Sequence, residues 1–336
     1  SQGRYRVVKN TLAKIATSAE EGRHKAAITQ LSLADLPDND VLVEISHSSL
    51  NYKDGLAISG KGRIARRLPM VAGIDLAGVV VESRSPDWKA GDAVIVNGWG
   101  LSETEWGAYS RFQRLKPQHL TRMPTGFSPV EAMSIGTAGY TAALCVLALE
   151  DHGILQGDGE FLVTGAAGGV GSVAIALLAA RELRVTASTG RASEEDFLRG
   201  LGASDIIDRH SLSEPRKMLQ AERWAGGIDS VGSHTLVNAL AQTVYGGAFA
   251  ACGLAGGADL PGSVMPHILR SVALLGVDSV MCPQTRRARA WALLERDLDR
   301  AKLARLTTLA PMADLPRLAE EILAGRTRGR TVIVIG

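Results

Sequence analysis

A glycine-rich turn between an apolar strand and an apolar helix constrains this chain more than any other feature. Glu160-Phe161-Leu162-Val163-Thr164 reads as a short buried strand, Gly165-Ala166-Ala167-Gly168-Gly169-Val170-Gly171 as the turn, and residues 169–180 as the helix that follows. Ala166, Gly168 and Gly171 stand at the three small-residue positions of the dinucleotide fingerprint, with Ala replacing its first Gly. Small residues there let the backbone turn sharply, approach a pyrophosphate, and aim the amides of a helix N-terminus at its charge. A tight turn without a ligand is the competing reading, and the strand-turn-helix context favours a bound dinucleotide.

The same alternation continues downstream, with strands predicted at 184–188, 205–207, 227–230, 247–251 and 272–277 and a helix at 193–201. Six short strands joined by crossovers predict an α/β fold with a doubly wound parallel sheet. Residues 4–125 are instead β-rich. The β-branched runs at 41–45, 77–81 and 93–96, separated by Pro, Gly and Asp turns, predict a small barrel-like domain. After Pro124-Thr125-Gly126 the texture turns helical through 132–150, which places a boundary near 125. An amphipathic helix is predicted at 290–303. The final run, 330–335, is a strand isolated from the βα series and is expected to return to the first domain. The predicted division is thus 1–125 completed by 286–336, and 126–285.

Composition narrows the partners. With 37 Lys+Arg against 35 Asp+Glu the net charge is +2, too weak a field to hold a polyanion, so nucleic acid is not expected. The stretches 161–180 and 230–258 lack Asp, Glu, Lys and Arg, but clustered glycines, and His234, Asn238 and Gln242 in the second, make them buried strands and turns rather than membrane spans. Cys145, Cys252 and Cys282 have no paired spacing, and no signal-peptide pattern opens the chain. A reducing cytoplasm is the expected location.

The second strand of the series ends in Ser188-Thr189-Gly190-Arg191, with no acid before Glu194. An NAD enzyme usually places Asp or Glu there for the ribose hydroxyls, so a 2′-phosphate, and hence NADPH, is the better fit. Arg191 would supply a charge-assisted contact, Thr189 a hydroxyl, and Arg209 a second cation, unless Arg209 is simply a solvated loop charge.

The polar cluster Ser48-Ser49-Leu50-Asn51-Tyr52-Lys53-Asp54-Gly55 and the Gly-rich runs 68–78, 136–141, 250–256 and 276–279 join the glycine loop in a more specific pattern. Across essentially its whole length the chain resembles the zinc-free medium-chain dehydrogenase/reductases of the quinone-oxidoreductase branch, nearest their acrylyl-CoA reductase group. The resemblance implies a GroES-like catalytic domain plus a Rossmann NADPH-binding domain, a homodimer, and an active site in the cleft between domains. It implies cofactor contacts at Tyr52, Ala167, Gly168, Gly169, Val170, Thr189, Gly190, Arg191, Arg209, Leu254, Ile268 and Ser279. Leu254 and Ile268 would otherwise be plain core residues. Where relatives carry an Asn this chain has Ala324-Gly325, which removes one expected cofactor hydrogen bond.

Zinc-dependent members carry Gly-His-Glu where this chain reads Gly73-Ile74-Asp75, and Ile74 cannot ligate a metal. His47, His119, His152 and His267 form no ligand pattern, and Cys252 lacks a partner base. No metal is therefore expected. Without a metal Lewis acid the acceptor must already be activated for conjugate addition. The expected reaction is reduction of a short 2-enoyl-CoA, acryloyl-CoA to propanoyl-CoA foremost, with hydride to the β-carbon and a proton to the α-carbon. Tyr52 is the candidate proton donor, with a packing tyrosine as the competing reading; Asn51, Lys53 and Asp54 either brace its loop or act themselves. Arg63, Arg66 and Arg67 are candidate cations for a CoA phosphate or else a solvated run. The rival functions are a quinone or enone reductase, and a non-catalytic NADPH-binding structural protein.

Overall fold

The computed structural model describes residues 8–16 and 24–336, and its contacts divide them into two units: the residues up to Thr137 together with Thr307–Gly336, and Ala138–Leu306. The first unit opens with β1 (Val8–Ala16), β2 (His24–Leu31), β3 (Val41–Leu50), α1 (Tyr52–Ser59), β4 (Met70–Val71), β5 (Asp75–Ser83), β6 (Ala93–Asn97), β7 (Phe112–Leu115) and β8 (Thr121–Arg122). Helix α2 (Pro129–Asp151) carries the chain onward. The second unit holds β9 (Glu160–Val163), α3 (Gly169–Ala180), β10 (Arg184–Thr189), α4 (Glu195–Leu201), β11 (Asp205–Asp208), α5 (His210–Ser213), β12 (Trp224–Asp229), α6 (Ser233–Ala241), β13 (Thr243–Ala251), α7 (Met265–Leu269), β14 (Ala273–Gly276), α8 (Gln284–Asp297) and α9 (Arg300–Leu306). The chain then re-enters the first unit through β15 (Thr307–Pro311), α10 (Leu315–Leu323) and β16 (Arg330–Val334).

In the first unit a seven-stranded sheet runs β15-β16-β3-β5-β6-β8, with β7 paired to β3. The terminal strand β16 lies antiparallel to β3, so the last residues of the chain do return to the β-rich unit. Val41, Val43, Ile45, Leu76, Val80, Val94, Val96 and Ile333 fill its interior. These are the β-branched and Leu positions that alternation turns inward. Helices α1 and α10 pack closely because Gly55 has no side chain; a Cβ there would meet Ile322 Cγ2 at 2.7 Å.

The second unit is a six-stranded parallel sheet of order β11-β10-β9-β12-β13-β14, the doubly wound 3-2-1-4-5-6 arrangement expected from the βα repeats. Its strand order reverses between β9 and β12. Leu162, Trp224, Leu236, Leu240 and Phe249 form a core on it.

Three differences from the sequence expectation have local causes. The units change over after Thr137 and after Leu306 rather than near 125 and 285; the second boundary moves because the tail segment predicted as a helix packs on α3 of the second unit. The single helix expected at 290–303 is two helices, since Leu298 takes extended angles (φ −79, ψ 115) and the Asp299 carboxylate accepts the Lys302 amide at 3.0 Å to start α9. Helix α2 is interrupted at Gly136, whose φ of 51 and ψ of −162 are open to glycine alone. By length and composition α2 could cross a membrane, but 89% of its most apolar window is buried inside the protein, so it is a core helix.

Candidate active site

The glycine loop of the second unit sits where β9 hands over to α3, at the carboxyl edge beside the reversal in strand order. In sheets of this kind that edge is where ligands bind. Gly165 has φ +57, and a Cβ on it would lie 2.5 Å from Ser230 Oγ; a Cβ on Gly171 would run into the Gly165 carbonyl. The tight turn therefore needs glycine at both positions. Gly168 caps α3 with no side-chain hydrogen bond over the helix N-terminus, leaving its first amides without an intrahelical acceptor. Asp229, buried at the end of β12, ties the two strands together by accepting Thr164 Oγ1 at 2.7 Å and the Gly232 amide at 2.8 Å. Burial raises the pKa of its carboxyl above the ordinary value, and those hydrogen bonds oppose the shift.

At the end of β10 the structure brings Thr189, Gly190, Arg191 and Arg209 together. The Arg209 amide donates to Thr189 O at 3.0 Å, the Arg191 amide to Thr189 Oγ1 at 3.3 Å, and the Arg209 side chain lies over Gly190 so closely that a Cβ there would strike its guanidinium. The half-exposed Arg191 guanidinium lies 3.6 Å from Glu194. No carboxylate ends β10. An open helix N-terminus followed by two guanidinium groups fits a pyrophosphate and a second phosphate. Leu254 and Ile268 are not core residues: they are 64% and 72% exposed. The Ser279 carbonyl accepts Tyr140 Oη and Arg287 Nη2, each at 3.1 Å, which pins that turn.

In the first unit, Tyr52 is the first residue of α1, 46% exposed, and its hydroxyl has no hydrogen-bond partner among the described residues. A tyrosine packed with its hydroxyl on backbone is thus not what the structure shows. The neighbouring Asn51 and Asp54 are buried, whereas Lys53 pairs with Glu103 at 3.0 Å. Ile74 presents hydrocarbon where the zinc enzymes have a ligand, and its amide donates to Asp54 Oδ1 at 3.2 Å. His47 Nδ1 lies against Ser46 Oγ, His119 stacks on Trp99, and His267 Nδ1 lies against Val272 O, so these histidines have local partners. Cys252 lies against the Asp229 carbonyl and the buried Cys145; their mutual hydrogen bond and burial hold the Cys145 thiol well above its ordinary pKa.

The sequence reading passed over a buried charge cluster beneath Tyr52. Asp75 accepts Ser49 Oγ (2.5 Å), Asn51 Nδ2 (3.0 Å) and the Thr137 amide (2.8 Å) on one carboxylate oxygen, and Asn97 Nδ2 (2.8 Å) and Thr137 Oγ1 on the other. Arg330 donates to Ser134 O, Leu50 O and Asn51 Oδ1. A charged residue opening the otherwise apolar run 330–335 was the available signal for Arg330. Asp75, next to Ile74, drew notice only as part of a missing metal motif.

Two family descriptions match the chain: alcohol dehydrogenase GroES-like domain over residues 37–148 and zinc-binding dehydrogenase over residues 169–296. The sequence is 47% identical to the acrylyl-CoA reductase AcuI of Ruegeria pomeroyi over 94% of this chain and 96% of that protein. The crystal structure of the yhdH oxidoreductase from Salmonella enterica in complex with NADP superposes with a TM-score of 0.94 at 48% identity, covering 97% of this chain and 99% of that one. Bacillus subtilis yhfP, crystallised with NAD bound, gives a TM-score of 0.92 at 37% identity, covering 98% and 99%. The chain therefore belongs to the medium-chain dehydrogenase/reductases. Within them it is a zinc-independent member of the quinone-oxidoreductase branch that includes the acrylyl-CoA reductases.

The cluster predicts a pH dependence. Burial, and next the charge of Asp75, raise the Asp54 carboxyl from 3.8 to about 7, with the Asn51 hydrogen bonds opposing the shift. The folded state then binds a proton that the unfolded state has released, so this residue's contribution to stability is full below about pH 4, falls as pH rises toward 7, and levels off above. Denaturant titrations of the wild type and Asp54→Asn across pH 4 to 8 check this; an unchanged slope in the variant would contradict it.

Proposed function

We propose that this chain reduces the C=C bond of a short 2-enoyl-CoA with NADPH, acryloyl-CoA to propanoyl-CoA foremost. The observation that carries the reading is the end of β10, which closes on Thr189 rather than on an acid, with Arg209 lying over Gly190 and Arg191 following it. Its support from relatives is the extended identity to an acrylyl-CoA reductase and the similarity to a structure holding NADP.

When bound, NADPH supplies the hydride that goes to the β-carbon of the thioester. The chain's own residues bind, orient and hold a proton. Ala167, Gly168, Gly169 and Val170 would hold the pyrophosphate, Thr189, Gly190, Arg191 and Arg209 the 2′-phosphate, and Leu254, Ile268, Ser279 and Tyr52 the nicotinamide half. Negative charge collecting on the thioester oxygen is relieved when a proton reaches the α-carbon, and the half-exposed Tyr52 hydroxyl is the donor in this reading.

Following NADPH loss against acryloyl-CoA, crotonyl-CoA and a quinone tests the substrate class. The highest kcat/KM is expected with acryloyl-CoA. Turnover of the quinone alone would replace this reading with a quinone reductase, and cofactor binding without turnover of any acceptor would leave a non-catalytic NADPH-binding protein.

The cofactor assignment is tested by titrating wild type, Arg191→Ala and Arg209→Ala with NADPH and NADH. Losing one charge-assisted contact weakens NADPH binding by roughly 10- to 150-fold and leaves NADH unchanged. Equal losses for both cofactors would mean that the arginines only support the loop.

The reading includes a cytoplasmic homodimer. Three free cysteines support a reducing compartment. Edge strand β14 and the exposed Leu260, Val264, Leu269 and Met281 of the same unit offer an apolar surface for a second copy. Light scattering at 35.5 kDa rather than twice that mass would overturn the dimer, and recovery outside the cytoplasm on fractionation would overturn the location.

A further inference from the structure

Asp54, Asp75 and Arg330 are almost fully buried in the β-rich unit, with Tyr109, also buried, beside them. Desolvating a charge costs several kcal/mol per ion, and replacing a buried ion pair by apolar groups of similar size is often neutral or stabilising. Stability is therefore a poor reason for three such groups. Their hydrogen bonds point to a different one.

All three of these side chains bond to a single residue, Asn51. The Asn51 amide donates to Asp54 Oδ2 at 2.9 Å, and its Nδ2 reaches Asp54 Oδ2 and Asp75 Oδ2, each at 3.0 Å. Asn51 Oδ1 accepts Arg330 Nη1 at 3.2 Å, and its carbonyl accepts the Gly55 amide at 3.1 Å. Every polar atom of Asn51 is thus held. Ser49, two residues earlier, is fixed as well: its carbonyl accepts Tyr109 Oη at 2.8 Å and its hydroxyl donates to Asp75. Asp54 Oδ1 then ties this segment to the Ile74 amide at the mouth of β5. The next residue after Asn51 is Tyr52, which begins α1 and whose hydroxyl has no hydrogen-bond partner among the described residues. Where the Tyr52 side chain starts from is set by the segment that precedes it, and that segment is held from β5, β16 and α1 at once.

We propose that the buried Asp54–Asp75–Arg330 cluster is the positioning device of Tyr52, acting through Asn51 to fix where the Tyr52 hydroxyl stands. The proposal rests on the reading of Tyr52 as proton donor. Asp54 is the most informative member, because Asp54→Asn keeps the size of the side chain but turns one of its two acceptor oxygens into a donor, which the Asn51 amide and the Ile74 amide cannot both accommodate.

A double-mutant cycle of Tyr52→Phe and Asp54→Asn, measured as kcat, NADPH affinity and melting temperature, tests it. Misplacing a reacting group by about 1 Å costs on the order of 10²-fold in rate, so Asp54→Asn is expected to lower kcat by that order with NADPH affinity kept. The double variant is expected to be no slower than the slower single variant. Multiplying losses, or an Asp54→Asn variant that melts lower but keeps wild-type kcat, would overturn the proposal while leaving Tyr52 as donor. Full kcat in Tyr52→Phe would instead overturn the donor reading, and with it the coupling. Should Asp54→Asn fail to fold, Asn51→Ser, which withdraws the Nδ2 donor and Oδ1 acceptor that the three charged groups grip, is read by the same cycle.

Discussion

The Asp75 carboxylate is the point on which the β-rich unit turns. It draws donors from the end of β3, the start of α1, the end of β6 and the middle of α2, and it sits in the same buried space as a second carboxylate and a guanidinium. A buried carboxylate must be answered by hydrogen bonds or it is not tolerated. Satisfying this one requires three separate stretches of chain, at 49–51, 97 and 137, to meet at one place, and the last strand of the sequence comes back to bring Arg330 beside them.

In the nucleotide-binding unit, position is set by backbone shape instead of charge. The turn after β9 is possible because Gly165 and Gly171 carry nothing that would collide with their neighbours, and the strand order then leaves an open carboxyl edge beside it. Two different kinds of constraint thus shape the two units: a buried polar cluster fixes the segment that leads into α1, and an absence of side chains permits the turn that leads into α3.

This contrast explains what could be read in advance. The glycine loop, the βα repeats, the apolar strands 41–45, 77–81 and 93–96 and the returning final strand are written in local periodicity, and helix α3 occupies the 169–180 expected of it. That Arg191 and Arg209 stand together at the end of β10 was legible from the strand ends they follow. The Asp75 and Arg330 cluster was not, because its members lie 255 residues apart and no spacing rule links them. The exposure of Leu254 and Ile268 was also hidden, since leucine and isoleucine look like core in any linear reading. The gap within 290–303 escaped because Leu298 continues the apolar pattern while its backbone leaves the helix.

Gly136 shows how such a distant constraint acts on ordinary sequence change. On helix propensity alone, a glycine inside the longest helix of the chain is the first residue one would replace to strengthen it. Yet a methyl group at that position would stand 2.5 Å from Arg330 Nη2 and 2.8 Å from Asp75 Oδ2, on a backbone that only glycine adopts with ease. The break in α2 is therefore not a weakness left unrepaired. It is the imprint of the charge cluster on a helix, and α2 is closed to single-step straightening for as long as Asp75 and Arg330 remain buried beside it.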